Sequence, residues 1–159
     1  MKRSMNPGSL QPTIWFTFFA WMLCFGAAFI EPARAQDTGF NSNQVLLTSA
    51  VRTATNSTPD QVNLGWRGAH VIMNVTAVPG VDSVTLTIQG KDPASGTYYT
   101  ILAGLAETTT GIKVYKVYPG ITASGNAAAS DFLPSLWRVT ITHSAGTNFT
   151  YSVAYFYEK

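Results

Sequence analysis

The sequence predicts an all-β domain, a single antiparallel β-sandwich of the Ig-like or jelly-roll type with seven to eight strands. Three observations support this fold class. Short segments alternate apolar and polar residues with a period of two. Turn-forming residues separate these segments at intervals of roughly ten residues. No amphipathic helical pattern of ten or more residues follows residue 35.

The clearest element is a central hairpin predicted within Val81–Leu102. Three apolar residues alternate with polar ones along Val84–Gln89, so one face of this strand is apolar. The segment Gly90–Gly96 supplies turn chemistry, because Asp92 can bond the local backbone, the proline after it fixes one φ, and the two glycines permit positive φ. Tyr98–Leu102, rich in aromatic and β-branched residues, is predicted as the return strand.

Similar patterns predict the other strands of the domain, which spans residues 45–159. These strands are Val45–Arg52, Gln61–Leu64, Val71–Val78, Ile112–Tyr118, Leu136–His143 and Phe149–Tyr157. Residues 36–44 are polar and predict a flexible arm. Residues 104–111 predict a connection, and residues 121–134 predict the longest loop, with one helical turn at 127–130.

Residues 1–35 predict an apolar leader helix that acts as a signal peptide or a membrane anchor. Lys2 and Arg3 precede the uncharged stretch Ile14–Ile30, and small residues flank Arg34 at a cleavage-like position. Cleavage before Gln36 predicts an exported protein, periplasmic or extracellular. A retained leader would anchor the chain, although the apolar stretch is shorter than the roughly 20 residues that span a bilayer.

Composition and charge argue against a nucleic-acid partner and against cysteine chemistry in the domain. Only 11% of the residues are charged, and the part beyond residue 35 carries seven basic and seven acidic residues. This part is formally neutral, whereas nucleic-acid binding requires clustered positive charge, so no nucleic-acid partner is expected. The single cysteine, Cys24, lies in the leader. The domain itself therefore has no disulfide and no thiol nucleophile.

The sequence does not predict an enzyme, and we assign no catalytic, cofactor-binding or metal-binding residue. His70 and His143 lie at predicted strand ends, with no second ligand at metal-binding spacing. The carboxylates fall in or beside predicted loops or at the termini, where nothing fixes the separation that a carboxylate pair needs. No serine lies in a G-x-S-x-G turn.

Two arginines and three tyrosines form the candidate interaction surface. Arg138 lies within a strongly alternating strand, either on a solvated face that its stem helps to cover or as a paired charge in an interface. Arg67 is the second candidate charge. Tyr115, Tyr151 and Tyr155 either stack on sugars or pack across neighbouring strands.

Several short motifs, specific as a set, resemble a group of small proteins encoded among the structural genes of tailed bacteriophages. The set covers roughly residues 66–155. Its segments are Arg67–Ala69, Val84–Asp92, Pro93–Tyr99, Val117–Gly120, Asp131–Pro134, Trp137–Val139 and Thr150–Val153. The resemblance implies a virion-associated β-sandwich, such as a head-decoration or minor structural protein, and it implies no catalytic residue. The leader departs from this pattern, because virion proteins assemble in the cytoplasm.

The expected function is therefore a non-enzymatic, virion-type structural or assembly protein. It would contact copies of itself or a capsid lattice, and it would be virion-associated. The alternative is an exported module that binds carbohydrate or a cell surface, with a glycan as its partner. A membrane contact is expected only through an uncleaved leader.

Overall fold

The computed structural model describes residues 43–159, and within this range the chain is all-β. Ten strands form two sheets, and seven of these strands have seven residues or more. In chain order, the strands are β1 Asn43–Arg52, β2 Asn56–Ser57, β3 Gln61–Val62, β4 Gly68–Ala77, β5 Val84–Lys91, β6 Tyr98–Glu107, β7 Gly111–Val117, β8 Ala128–Ala129, β9 Leu136–His143 and β10 Phe149–Glu158.

The strands pair in a nested order along the chain. The β4 sheet has the order β1-β10-β4-β7-β8, and the β5 sheet has the order β2-β9-β5-β6, with β3 also paired to β9. Thus β5 pairs with β6, β4 with β7, β2 and β3 with β9, and β1 with β10. All pairs are antiparallel except β7 with β8. The chain therefore follows one long hairpin with β5 and β6 at its tip.

The apolar faces of both sheets contribute to a single core. In β5, and in β9 as far as Ile141, every second residue is buried, as the alternation predicts. Trp137 of β9 packs edge-on against Tyr155 of β10, with ring centroids 5.0 Å apart. Its indole N–H also donates a hydrogen bond to the Tyr157 hydroxyl at 3.1 Å. This tryptophan thus joins the two sheets, and each fully buried Val or Ile around it contributes about 1.5–3 kcal/mol.

The turn of the predicted hairpin follows the expected chemistry with one exception. The Asp92 carboxylate accepts hydrogen bonds from the backbone N–H of Ala94 at 3.0 Å and from the Ser95 hydroxyl at 2.6 Å. Gly96 has a φ of 71°. Gly90 is not a turn residue, because it lies within β5, where the Tyr99 ring lies close over its α-carbon. The sequence pattern did not separate these two uses of glycine.

Strand β6 is longer than predicted, so the expected connection over residues 104–111 is wrong. The strand continues to Glu107, and only residues 108–110 separate it from β7. The strand continues through Gly104, where a β-carbon would lie 2.5 Å from Cε1 of the Tyr115 ring. This glycine allows an aromatic ring to lie against the strand, and it does not end the strand.

Two other boundaries also differ from the prediction. The segment expected to form a helical turn at residues 127–130 contains β8, which pairs in parallel with the end of β7. Strand β1 begins at Asn43, so the last two residues of the predicted arm belong to a strand paired with β10. The predicted leader and the rest of the arm lie outside the described residues.

Candidate interaction surfaces

The three tyrosines of the candidate surface lie in the core, which corrects that part of the prediction. Tyr115, Tyr151 and Tyr155 are 2%, 0% and 4% exposed. Burial raises the pKa of all three hydroxyls. The Tyr151 hydroxyl hydrogen-bonds Nε2 of His143 at 3.1 Å, and the Tyr115 hydroxyl lies 3.5 Å from Oε1 of Glu107. The sequence pattern correctly predicts the strands that carry these tyrosines. Alternation alone does not say which face of a strand is buried.

Arg67 is exposed and lies just before β4. Its guanidinium carbon is 5.4 Å from the centroid of the Tyr118 ring. Its backbone N–H donates to the Glu158 carbonyl at 3.0 Å, and its carbonyl accepts from the Leu133 N–H at 3.2 Å. The main chain is therefore held firmly while the charge faces solvent. Arg138 lies in the other sheet, so the two arginines belong to different surfaces.

The outer face of the β5 sheet is rich in hydroxyl groups. Thr85 and Thr87 of β5 lie directly opposite Thr142 and Thr140 of β9. Paired residues of neighbouring strands point to the same face, so these four threonines form a small grid. The spacing is about 4.8 Å between strands and about 6.8 Å along each strand. Arg138 continues this face beyond the grid.

Arg138 is held in place by the side chains of Tyr98 and Gln89. Its guanidinium carbon lies 3.4 Å from the centroid of the Tyr98 ring. Its Nε–H donates to Oε1 of Gln89 at 2.9 Å, and the Thr140 hydroxyl donates to the same oxygen at 3.1 Å. The Ser57 hydroxyl lies 2.9 Å from that of Thr140 and extends the network to β2. A stacked and hydrogen-bonded guanidinium is a preorganised group.

An ion pair borders Arg138 at the end of the sheet. The Asp60 carboxylate accepts from the Lys91 ammonium at 2.7 Å and from the Tyr98 hydroxyl at 2.7 Å. These two hydrogen bonds lower the pKa of Asp60, and the first of them raises the pKa of Lys91. We call the group formed by Arg138, Tyr98, Gln89, Lys91 and Asp60 the Arg138 platform.

The outer face of the β4 sheet is different, because an apolar row crosses it. Val114 of β7 lies opposite Ile72 of β4, Ile72 lies opposite Ala154 of β10, and Ala154 lies opposite Val45 of β1. Val45 is 66% exposed and Val114 is 40% exposed. The row spans about 14 Å across four strands. We call these four residues the apolar row, and the sequence pattern alone does not predict it.

An open depression of about 430 Å³ lies beside this row, at the ends of β4, β7 and β10. His70, Lys116, Tyr118 and Glu158 contribute to its lining. Nε2 of His70 is 3.8 Å from Oε1 of Glu158. Burial lowers the pKa of His70, and Glu158 partly opposes this shift. The depression thus combines both signs of charge next to an apolar surface.

Among residues 43–159, no group of three His, Cys, Asp or Glu side chains is placed to hold a metal ion. The same range contains no helix that is long and apolar enough to cross a membrane. Comparison of the chain with protein-family models and with curated proteins finds no match.

Proposed function

We propose that this chain is a non-enzymatic structural or assembly protein of the virion-decoration type. It acts through protein–protein contacts with copies of itself or with a capsid lattice. The observation that carries the proposal is the apolar row, which places Val45, Ala154, Ile72 and Val114 side by side on an outer sheet face. Exposed apolar groups arranged contiguously mark interaction surfaces, whereas single exposed apolar residues are ordinary.

We infer further that the two sheets form a jelly-roll β-sandwich. In an immunoglobulin sheet the first strand pairs with the second. Here the first strand, β1, pairs with the last, β10, and the inner pairs are nested within this outer pair. Jelly rolls occur in viral capsid domains and in lectin domains. A shared fold does not fix a function, so the fold supports the proposal only together with the surface.

The contact surface is a sheet face rather than a sheet edge. The two long edge strands are β1 and β6, and both have irregular registers with their neighbours. Bulges of this kind twist an edge strand and oppose the addition of another strand. On the outer face of the β4 sheet, the pairing is regular from Val114 through Ile72 to Ala154, and the register shift of β1 begins only after Val45. A partner therefore packs flat against this face, as one sheet packs on another.

Sedimentation velocity of the full chain, isolated from its native source, tests this proposal. Val114→Glu places a charge in the apolar row, and Val81→Glu places the same charge at a 97% exposed loop position. We expect the wild type and Val81→Glu to associate with themselves or with particles, and Val114→Glu to weaken that association at least about tenfold. A wild-type chain that stays monomeric and associates with no particle would overturn the proposal.

The second candidate function is an exported module that binds carbohydrate or a cell surface. It is favoured by the hydroxyl-rich outer face of the β5 sheet and by the Arg138 platform at its end. The leader predicted over residues 1–35 is consistent with this route. Intact mass and cell fractionation test the route. A chain that starts at Gln36 in the periplasm or medium supports export, whereas a chain found in particles supports the assembly role.

A further inference from the structure

We propose that the Arg138 platform is a carboxylate-binding site whose ligand is a uronic-acid residue of an acidic polysaccharide. This inference rests on the second candidate function and names its class of ligand. It is independent of the assembly role, which uses the outer face of the other sheet.

The Arg138 platform has hydrogen-bond donors without partners among the described residues. Arg138 uses its Nε to bind Gln89, and its two terminal amino groups have no hydrogen-bond partner within residues 43–159. The side-chain oxygen of Gln89 already accepts two hydrogen bonds, from Arg138 and from Thr140. The amide nitrogen of Gln89 makes none within the same residues. The platform therefore has unused hydrogen-bond donors, which an acceptor group of a ligand would satisfy.

The platform carries an excess of positive charge. Its only carboxylate, Asp60, binds Lys91 and the Tyr98 hydroxyl through its two oxygens and also interacts electrostatically with Arg138. Two cations, Arg138 and Lys91, thus face one carboxylate, and the platform keeps one net positive charge. A guanidinium fork matches a planar carboxylate through two parallel hydrogen bonds. A phosphate group carries up to two negative charges and is better served by a cluster of cations, so one net positive charge favours a carboxylate.

Hydroxyl groups next to the platform favour a sugar over an acidic peptide as the ligand. The face there presents the hydroxyl groups of Thr85, Thr87 and Thr142. Rows of hydroxyl groups at strand spacing can donate to and accept from the hydroxyl groups of successive sugar rings. A polymer that combines hydroxyl and carboxylate groups fits both parts of this surface.

Binding of trigalacturonic acid to the full chain, measured by calorimetry, tests the proposal. The fully methyl-esterified trisaccharide lacks the carboxylates, and we expect it to bind at least about tenfold more weakly. Arg138→Gln should lose a similar factor, and Arg138→Lys, which keeps the charge but not the fork, should lie between them. Arg67→Gln removes the same charge from another surface and should bind like the wild type. Circular dichroism checks that each variant is folded.

Each other outcome has a definite meaning. Equal binding of the acid and its ester would remove this proposal but leave the second candidate function in place. Absence of binding to both these and neutral glycans would remove both. Equal losses in Arg67→Gln and Arg138→Gln would show a general charge effect and overturn the site. A glutamate-rich peptide that binds through Arg138 as tightly as the acid would make the ligand a protein, which also overturns the proposal.

Discussion

The guanidinium of Arg138 lies 3.4 Å from the centre of the Tyr98 ring, although strand β5 separates their two strands. The arginine stem crosses over β5, and its Nε bonds Gln89 on the way. The same tyrosine donates its hydroxyl proton to Asp60. One aromatic ring thus connects β9, β6 and the loop after β2, and it does so on the outer face rather than in the core.

Coupling between Arg138 and Tyr98 is measurable by a double-mutant cycle. Arg138→Gln and Tyr98→Leu each remove the stacked contact, so the double variant should lose less stability than the two single losses combined. We expect a coupling of about 0.5–1 kcal/mol, as for cation–π pairs near solvent. Urea unfolding of the four proteins measures it. Tyr98→Phe is the control, because it keeps the ring and loses only the hydrogen bond to Asp60. Strictly additive losses would contradict the coupling.

Thr58 is a buried polar residue that binds the backbone of β9 as a paired strand residue would. Its backbone N–H donates to the Val139 carbonyl at 2.9 Å, and its hydroxyl oxygen accepts from the Val139 N–H at 3.0 Å. Thr58 thus continues the pairing with β9 across the gap between β2 and β3. Thr58→Val leaves a buried N–H without an acceptor and should cost about 1–3 kcal/mol. Thr58→Ser keeps the hydroxyl and should cost clearly less in the same urea titration.

The role of Thr58 shows where sequence patterns stop being informative. Alternation in β5 and β9 predicts long strands correctly, because six or more residues repeat the pattern. Strand β3 lies at the start of the predicted strand Gln61–Leu64, whereas β2 has only two residues, which is too short for any period to appear. Their pairing with β9 depends on a tertiary contact. The same holds for β8, whose alanines carry no strand signal.

The candidate surface could be predicted only in part for a related reason. Alternation separates the two faces of a strand but does not say which face meets the other sheet. Tyr115 and Val114 are neighbours of similar apolar character, yet the tyrosine is buried and the valine is exposed. Arg138 lies half-buried on the outer face of β9, because charged groups are rarely buried completely. The apolar row becomes visible only when the registers of four strands are known.

Gly68 allows close contact between β4 and the end of β7. A β-carbon at this position would collide with the backbone carbonyl oxygen of Val117 and lie 3.0 Å from Cα of Tyr118. Backbone atoms cannot move aside as a side chain does, so Gly68→Ala should destabilise the domain by about 1–3 kcal/mol. Gly125→Ala is the matched control, since no atom lies within 4 Å of its β-carbon position. Thermal unfolding of both variants should show a clear decrease in Tm for the first alone.

Two half-buried histidines should make the domain less stable in mild acid. Burial lowers the pKa of both His70 and His143 below the usual value of 6.5. The unfolded chain therefore binds more protons than the folded chain once the pH falls towards that value. The free energy of unfolding should be highest above pH 7, decrease as the pH falls below the usual value of 6.5, and level off once the pH lies below the lowered pKa values.

The size and the source of this acid effect can both be checked. The slope cannot exceed about 1.4 kcal/mol per pH unit for each histidine. Urea midpoints of the wild type at pH 7.5, 6.5 and 5.5 should decrease in that order, and His143→Gln should reduce the decrease. Asp60 and Asp92 contribute little in this window, because the pKa of each is lowered below 3.8. A midpoint that stays constant or rises as the pH falls from 7.5 to 5.5 would contradict the assignment, since protonation would then favour the folded chain.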